Sequence, residues 1–417
     1  MEIDSLDQKT KKDLTVFVKD DYSSKNYKIY EKTGSKYIVP LVYGIQNFKK
    51  PVSFPPVSRC DFPKIKCELR ESQVDCVDKM LSECKKTNGG GIISLQTGAG
   101  KTICSLYVIS KVKVKTLIIV NTSELLRQWV LSINQFLPGV TVGKIQATIF
   151  DPKDITVATV QTLCKKYTKE DLKSFSMCFI DEVHHLSGES FSKSLFKISA
   201  RYTFGLSATV SRKDGLEYVF KYHIGDILHE NSASTKQETI LKVIDYYPEY
   251  KEILCYGKPN NSANLTLISE DTKRSAVIIE TLLSLGSNRR VLVLSDRVSL
   301  LVYLHSILGS QISGLFTGKT TVDDKNVSRD KKIMLATYQI ASEGFDHPVL
   351  NTLLLATPRS NITQSIGRIY RKRHQIQPMI IDIVDHFSIF PYQYKKRKAL
   401  YKNQINKSED EERCLFD

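Results

Sequence analysis

The rhythm of hydrophobic and polar positions changes twice along this chain. Residues 1–66 hold several tyrosines (Tyr22, Tyr27, Tyr30, Tyr37, Tyr43) and no long apolar run. They close in Lys50-Pro51-Val52-Ser53-Phe54-Pro55-Pro56, a proline-punctuated stretch with linker character. This text predicts a small β-rich accessory module. Beyond it, short β-branched runs (Gly91–Leu95, Thr116–Val120, Ile155–Ala158, Met177–Ile180) alternate with segments of helical period. Residues 230–265 are polar and turn-forming, as an interdomain connection would be. The alternation then resumes with Arg290–Leu294, Lys332–Ala336, Thr352–Ala356 and Met379–Val384. Buried strands separated by helices predict parallel α/β sheets. The expected division is an accessory module over 1–66, α/β domains over 67–236 and 237–405 facing a cleft, and a disordered acidic tail over 406–417.

Composition adds a partner to this picture. In 417 residues, 60 Lys and Arg stand against 45 Asp and Glu, a net charge of +15. Such a surplus favours a polyanion, with nucleic acid ahead of a membrane surface. No apolar run approaches the ~20 residues that span a bilayer, and Met1-Glu2-Ile3-Asp4 lacks the basic-then-apolar order of a signal peptide. Nine cysteines carry no C-x-x-C pair, which fits reduced thiols in an intracellular, cytoplasmic or nuclear setting.

Chemistry enters with Gln96-Thr97-Gly98-Ala99-Gly100-Lys101-Thr102, between a predicted strand and a predicted helix. Glycines let consecutive backbone N–H groups wrap phosphate oxygens, and the helix N-terminus adds its positive end. In this pattern Lys101 reaches the β- and γ-phosphates of ATP and the Thr102 hydroxyl binds Mg²⁺. Leu95 stands where the usual pattern has its first glycine. Asp181-Glu182-Val183-His184-His185 follows the apolar run Met177–Ile180, 80 residues after Lys101. A carboxylate at that strand end holds Mg²⁺ (Asp181), and its neighbour orients or deprotonates the attacking water (Glu182). Ser207-Ala208-Thr209 comes 26 residues after Asp181 and takes its weight from that order. Arg368 and Arg371, at i and i+3 in Gln364-Ser365-Ile366-Gly367-Arg368-Ile369-Tyr370-Arg371, are expected to project together from a helix and to stabilise charge on the transferred phosphoryl group.

Taken together, these ordered motifs resemble superfamily 2 helicases of the DExH type, from about Leu69 to Tyr401. The finer likeness is to XPB-type and phage recombination helicases and to the transcript-release helicases of poxviruses and other large DNA viruses. It rests on Leu206-Ser207-Ala208-Thr209 followed by Arg212 and Asp214-Gly215, and on Ile380–Asp385 leading to Lys395-Lys396-Arg397-Lys398. The resemblance implies two tandem RecA-like domains. It places Arg70 and Gln73, in Leu69–Gln73, at the nucleotide, with the glutamine reading adenine. It also implies catalytic work for Gln364 beside Arg368 and Arg371, and coupling roles for His184, Ser207 and Thr209. Gly344 and Asp346, in the segment from Ala336 to Asp346, would face both ATP and nucleic acid. Nucleic-acid contacts would come from Thr122 and Gln128, Thr159 and Gln161, Arg297 and Thr337.

Residues 361–403 hold nine Lys or Arg and two acids, a local charge of +7. Lys395, Lys396, Arg397 and Lys398 suit phosphate contacts, or equally a solvated lysine-rich face. Tyr392, Tyr394 and Tyr401 are base-stacking candidates or packed rings. The leading expectation is a monomeric ATP- and Mg²⁺-dependent motor on DNA, moving 3′→5′, in contact with transcription or replication machinery and, by the viral resemblance, at home in a viral factory or virion. Three alternatives stand beside it: a translocase that releases transcripts or RNA polymerase without processive unwinding, an RNA helicase, and an ATP-gated nucleic-acid-binding assembly subunit with little turnover.

Overall fold

The computed structural model describes residues 1–20, 23–96, 98–183, 189–208, 215–230, 237–342, 347–371, 374–407 and 413–416. Thr97, His184, Thr209, Gly344 and Asp346 lie outside the described residues. The chain divides into two compact units, Met1–Ser232 and Ala233–Asp417.

In the first unit an eight-stranded sheet runs in the order Ile227–Glu230, Gly89–Ser94, Tyr202–Ser207, Met177–Ile180, Thr116–Val120, Ile155–Thr159, Val142–Gln146, Ile149–Asp151. Every neighbouring pair is parallel except the last. The apolar runs form strands buried on both faces, as parallel strands covered by crossover helices must be. Ile118 and Val120 pack against the helices Glu71–Glu83, Lys101–Val112 and Ser123–Phe136. Leu117 and Ile119 point the other way, toward Val160–Lys166 and Glu217–Ile224. One consequence governs the chemistry: the segments after Ser94, Val120, Thr159, Ile180 and Ser207 all emerge at the same edge of the sheet.

The first 66 residues contain strands, as expected, and two helices besides. Glu2–Ile3, Lys36–Ile38 and Glu31–Thr33 form an antiparallel sheet, and Thr15–Asp20 pairs with Ser23–Lys28. With helices Gln8–Asp13 and Leu41–Phe48 they enclose a core of Ile3, Leu14, Val16, Ile29, Val39 and Tyr43. That core is completed by Leu216 and Val219, so the module is fastened to helix Glu217–Ile224 of the same unit.

The second unit repeats the architecture with strands in the order Ser313–Phe316, Ile333–Thr337, Val291–Ser295, Thr352–Leu355, Met379–Asp385, Gln237–Tyr246, Ile405–Lys407. The pairs within this sheet are parallel, and a separate short hairpin pairs Leu254–Cys255 with Lys258–Pro259. Residues 237–246, expected within a connection, are a ten-residue strand against Met379–Asp385. Lys242 and Asp245 interrupt the apolar run that marks the other strands, yet Leu241, Val243 and Ile244 are buried. Asp245 is buried too, with its carboxylate 2.6 Å from His386 Nε2. Ile405–Lys407 and Arg413–Phe416 also pair beside this strand, where composition alone predicts a disordered acidic run.

Two aspartates on strand Met379–Asp385 anchor flanking helices. Asp385 receives the Arg274 guanidinium, and Asp382 receives that of Arg397, with all four side chains buried. Among the described residues no helix is long and apolar enough to cross a membrane.

Candidate functional site

Strand Gly89–Ser94 delivers the chain into the glycine loop. Leu95 is buried in the core rather than lining the loop, which accounts for an apolar residue at the position of the usual first glycine. Gly98 and Gly100 have φ of 86° and 96°, in the left-handed region that glycine adopts without a Cβ penalty. Gly100 then caps helix Lys101–Val112. Gln73 braces the loop from the side: its Oε1 accepts from the Arg70 backbone N–H and its Nε2 donates to Ala99 O, both at 2.9 Å. A Cβ on Gly100 would run into Gln73 Nε2 and displace the brace, and the φ of 96° itself favours glycine here. Thr102 sits half-buried on the first turn, beside Lys101.

The acidic pair arrives from strand Met177–Ile180. The buried Asp181 Oδ2 accepts from the Trp129 indole N–H at 2.9 Å, and Oδ1 accepts from the Glu182 backbone N–H at 3.0 Å. Burial pushes the Asp181 carboxyl up to about 6, and the Glu182 charge adds to this; Lys101 and the two hydrogen bonds oppose it. Glu182 has φ of 49°, a left-handed conformation that costs a residue with a Cβ about 1–2 kcal/mol. The strained turn carries the Glu182 carboxylate to Lys101, with Oε1 3.2 Å from Nζ and the side chains only 17% and 13% exposed. Lys101, Asp181 and Glu182, which the sequence separates by 80 residues, are thus one charged cluster at the mouth of the glycine loop.

A fit to ATP and Mg²⁺ can be judged from these donors. Mg²⁺ takes hard oxygen ligands and usually only one or two from protein, with phosphates and water completing the shell. Asp181 and Thr102 supply that type of donor, and the loop and helix N-terminus supply N–H groups for phosphate.

The other expected residues fall into place unevenly. Ser207 ends the strand between the glycine-loop strand and the Asp181 strand; it pairs in register with Ser94, and its carbonyl accepts from Leu95 N at 3.0 Å. Gln96 is exposed on the loop. Thr122 caps helix Ser123–Phe136 through its hydroxyl, and Gln128 on that helix donates to Glu124. Gln161 is exposed and donates to Asn121 O. Thr159 does not fit the strand-contact expectation: its buried hydroxyl is 2.8 Å from Thr162 Oγ1, so the side chain serves the turn.

In the second unit, the Arg297 guanidinium donates to Thr266 Oγ1 and to both Ser262 O and Oγ, tying its turn to helix Asn261–Glu270. Thr337 ends its strand and accepts from Ile340 N. Gln364 lies on the four-residue helix Thr363–Ile366. The expected helical projection of Arg368 and Arg371 is corrected, because the helix stops before them. Arg368 N and Ile369 N donate three residues back, to Ser365 O and Ile366 O, a tighter turn than an α-helix. Arg368 is only 4% exposed.

Arg397 is the clearest correction. On helix Phe390–Gln404, Lys395, Lys396 and Lys398 are exposed, but Arg397 is 1% exposed and grips Asp382 with two hydrogen bonds of 2.8 and 2.9 Å. Tyr401, one turn on, donates to the same Asp382 and is a packed ring, whereas Tyr392 is exposed beneath Lys396. Positions 394, 397 and 401 share one helical face, and that face is turned to the strand. The helicase resemblance spans Gln128-Trp129 but assigns no role of its own to Trp129, the chain's sole tryptophan.

Comparisons with known proteins bear on the family of this chain. The family model described as "Type III restriction enzyme, res subunit" matches residues 66–212, the stretch that contains the glycine loop, the acidic pair and Ser207. L396 of Acanthamoeba polyphaga mimivirus, which carries the inferred name of an ATP-dependent RNA helicase, is 32% identical over an alignment covering 96% of this chain and 82% of its own length. D10 of Escherichia phage T5, with an inferred helicase name, is 28% identical over 82% of this chain and 77% of its own. Among solved structures, the ATP-dependent Type ISP restriction-modification enzyme LlaBIII bound to DNA matches 84% of this chain with a TM-score of 0.58. At 15% identity, and with only 31% of that enzyme covered, this likeness concerns the fold alone. A relative 32% identical along nearly the whole chain, together with the family model over the glycine loop and acidic pair, places the chain in the superfamily 2 helicases, a family of ATP-hydrolysing enzymes.

Proposed function

We propose that this protein is a nucleic-acid-stimulated ATPase that moves along DNA in the 3′→5′ direction and couples hydrolysis to strand separation or remodelling. The observation that carries the reading is the cluster of Lys101, Glu182 and Asp181 at the glycine loop. In it, Lys101 leaves Glu182 for the β- and γ-phosphates, and Glu182, so released, orients or deprotonates the attacking water. Asp181 and Thr102 hold Mg²⁺, whose charge offsets that of the phosphates when bound. Gly98, Ala99 and Gly100, with Gln96 and Thr97, wrap the phosphates, while Arg70 and Gln73 meet the base. Arg368 and Arg371, with Gln364, answer the charge that develops on the γ-phosphate. Ser207, with His184 and Thr209, links that site to the polynucleotide.

The net charge of +15 and the exposed Lys395, Lys396 and Lys398 support a phosphate-rich partner, as do Thr122, Gln128 and Gln161 near the strand ends. DNA is favoured here by the resemblance to XPB-type and phage recombination helicases carried by Leu206-Ser207-Ala208-Thr209, Arg212 and Asp214-Gly215. RNA is the second reading, favoured by the names of L396 and QP509L of African swine fever virus, both inferred ATP-dependent RNA helicases. Duplexes with a 3′ tail, a 5′ tail or an RNA tail, incubated with the protein and ATP, separate these readings. Displacement confined to 3′-tailed DNA is expected; displacement only from an RNA tail would transfer the assignment to RNA.

A further inference from the structure

Asp181 is held by a residue that no motif role explains. Trp129 is buried on helix Ser123–Phe136, and its indole N–H donates to Asp181 Oδ2 at 2.9 Å. An indole has one donor and no acceptor, so this hydrogen bond satisfies it completely. The other carboxylate oxygen takes the Glu182 backbone N–H. Each oxygen therefore keeps a lone pair for a cation while the plane of the carboxylate is fixed from two sides.

We propose that Trp129 is a positioning residue for the cation of the nucleotide site, holding the Asp181 carboxylate correctly turned through its indole N–H. The inference rests on the ATP-site reading above and deepens it. Partners that orient a metal ligand in this way commonly contribute 10–100-fold to metal affinity. A purely structural tryptophan would contribute through the volume of its ring, which phenylalanine largely preserves.

The test uses the full chain and a fluorescent ATP analogue titrated in EDTA and at rising Mg²⁺. The wild-type protein is expected to bind more tightly as Mg²⁺ rises. In Trp129→Phe, affinity in EDTA should persist, while the Mg²⁺ needed for half of the gain rises about 10–100-fold. An unchanged Mg²⁺ requirement in Trp129→Phe, beside a normal wild-type response, would overturn the positioning role and leave the ATP site standing. A wild-type protein with no Mg²⁺-dependent binding would instead overturn the ATP-site reading and this inference with it. Because Trp129 is the sole tryptophan, the unaltered protein supplies a second readout independent of the variant's folding. Mg²⁺ added to the ADP-bound wild type should shift or quench indole emission, and the change should vanish in Asp181→Asn. Emission that stays constant while nucleotide binding tightens would also overturn the proposal.

Discussion

Lys101 Nζ lies 3.2 Å from Glu182 Oε1 at the mouth of the glycine loop, so the cation and the carboxylate assigned to ATP chemistry neutralise one another. ATP has to compete with Glu182 for that ammonium. Glu182→Gln removes the competing charge and should tighten ATP binding a few-fold, about 1 kcal/mol for a partly exposed pair, while stopping turnover. Lys101→Ala should weaken binding and abolish hydrolysis. Equilibrium binding beside single-turnover hydrolysis checks both; near-parental turnover in Glu182→Gln would remove its catalytic role.

Gly100→Ala places a methyl group against Gln73 Nε2 at a φ of 96°. The left-handed conformation alone should lower stability by about 1–2 kcal/mol, and displacing Gln73 unbraces Ala99. Gln73→Ala frees the loop without that strain, so it should lose ATP affinity with a smaller loss of stability. Urea denaturation and ATP titration on both variants test the distinction, which fails if Gln73→Ala binds ATP as the parent does.

The basic cluster near the C-terminus should split by face. Arg397→Ala strands Asp382 in the interior and should lower stability by about 3–5 kcal/mol. Replacing Lys395, Lys396 and Lys398 together by glutamine should change stability little but weaken polynucleotide binding. The slope of log affinity against log salt should flatten by roughly 0.7–0.9 for each phosphate that the variant no longer neutralises. An unchanged slope assigns those lysines to a solvated surface.

This split shows what the sequence carries and what it does not. Uninterrupted apolar runs such as Thr116–Val120 and Met177–Ile180 announce their strands, because parallel strands are buried on both faces. Gln237–Tyr246 escapes the same reading, since the Asp245 carboxylate that breaks its apolar run is met by the ring of His386, 141 residues away. The glycine loop and acidic pair are legible because phosphate and metal chemistry demand those residue types in that order. Arg397 looks like its lysine neighbours until Asp382 is brought beneath it, and Trp129 looks like core until its N–H is seen on Asp181.

His223 gives a pH prediction. It is buried on helix Glu217–Ile224, with Nε2 3.1 Å from Ser192 Oγ, and burial lowers its pKa to about 3. Between pH 6.5 and about 3 the unfolded chain binds a proton here that the folded chain refuses, so this residue's contribution falls as pH falls. The loss approaches about 1.4 kcal/mol per pH unit. Urea midpoints at pH 7.5 and 5.5 should fall less for His223→Asn than for the wild type; equal falls would contradict the buried neutral histidine.

Arg371→Ala should reduce kcat severely, by about 10³-fold or more where such an arginine meets developing charge, with little change in ATP affinity. A matching loss of ATP affinity would make it a binding residue instead.

The central claim is that the glycine-loop cluster hydrolyses ATP in response to a polynucleotide. The most direct measurement is the initial rate of ATP hydrolysis by the full chain at fixed salt, without polynucleotide and with single-stranded DNA or RNA, beside Glu182→Gln. The account predicts a slow basal rate that rises several-fold with DNA and disappears in Glu182→Gln. A rate that ignores DNA and RNA alike, or that survives in Glu182→Gln, would contradict it.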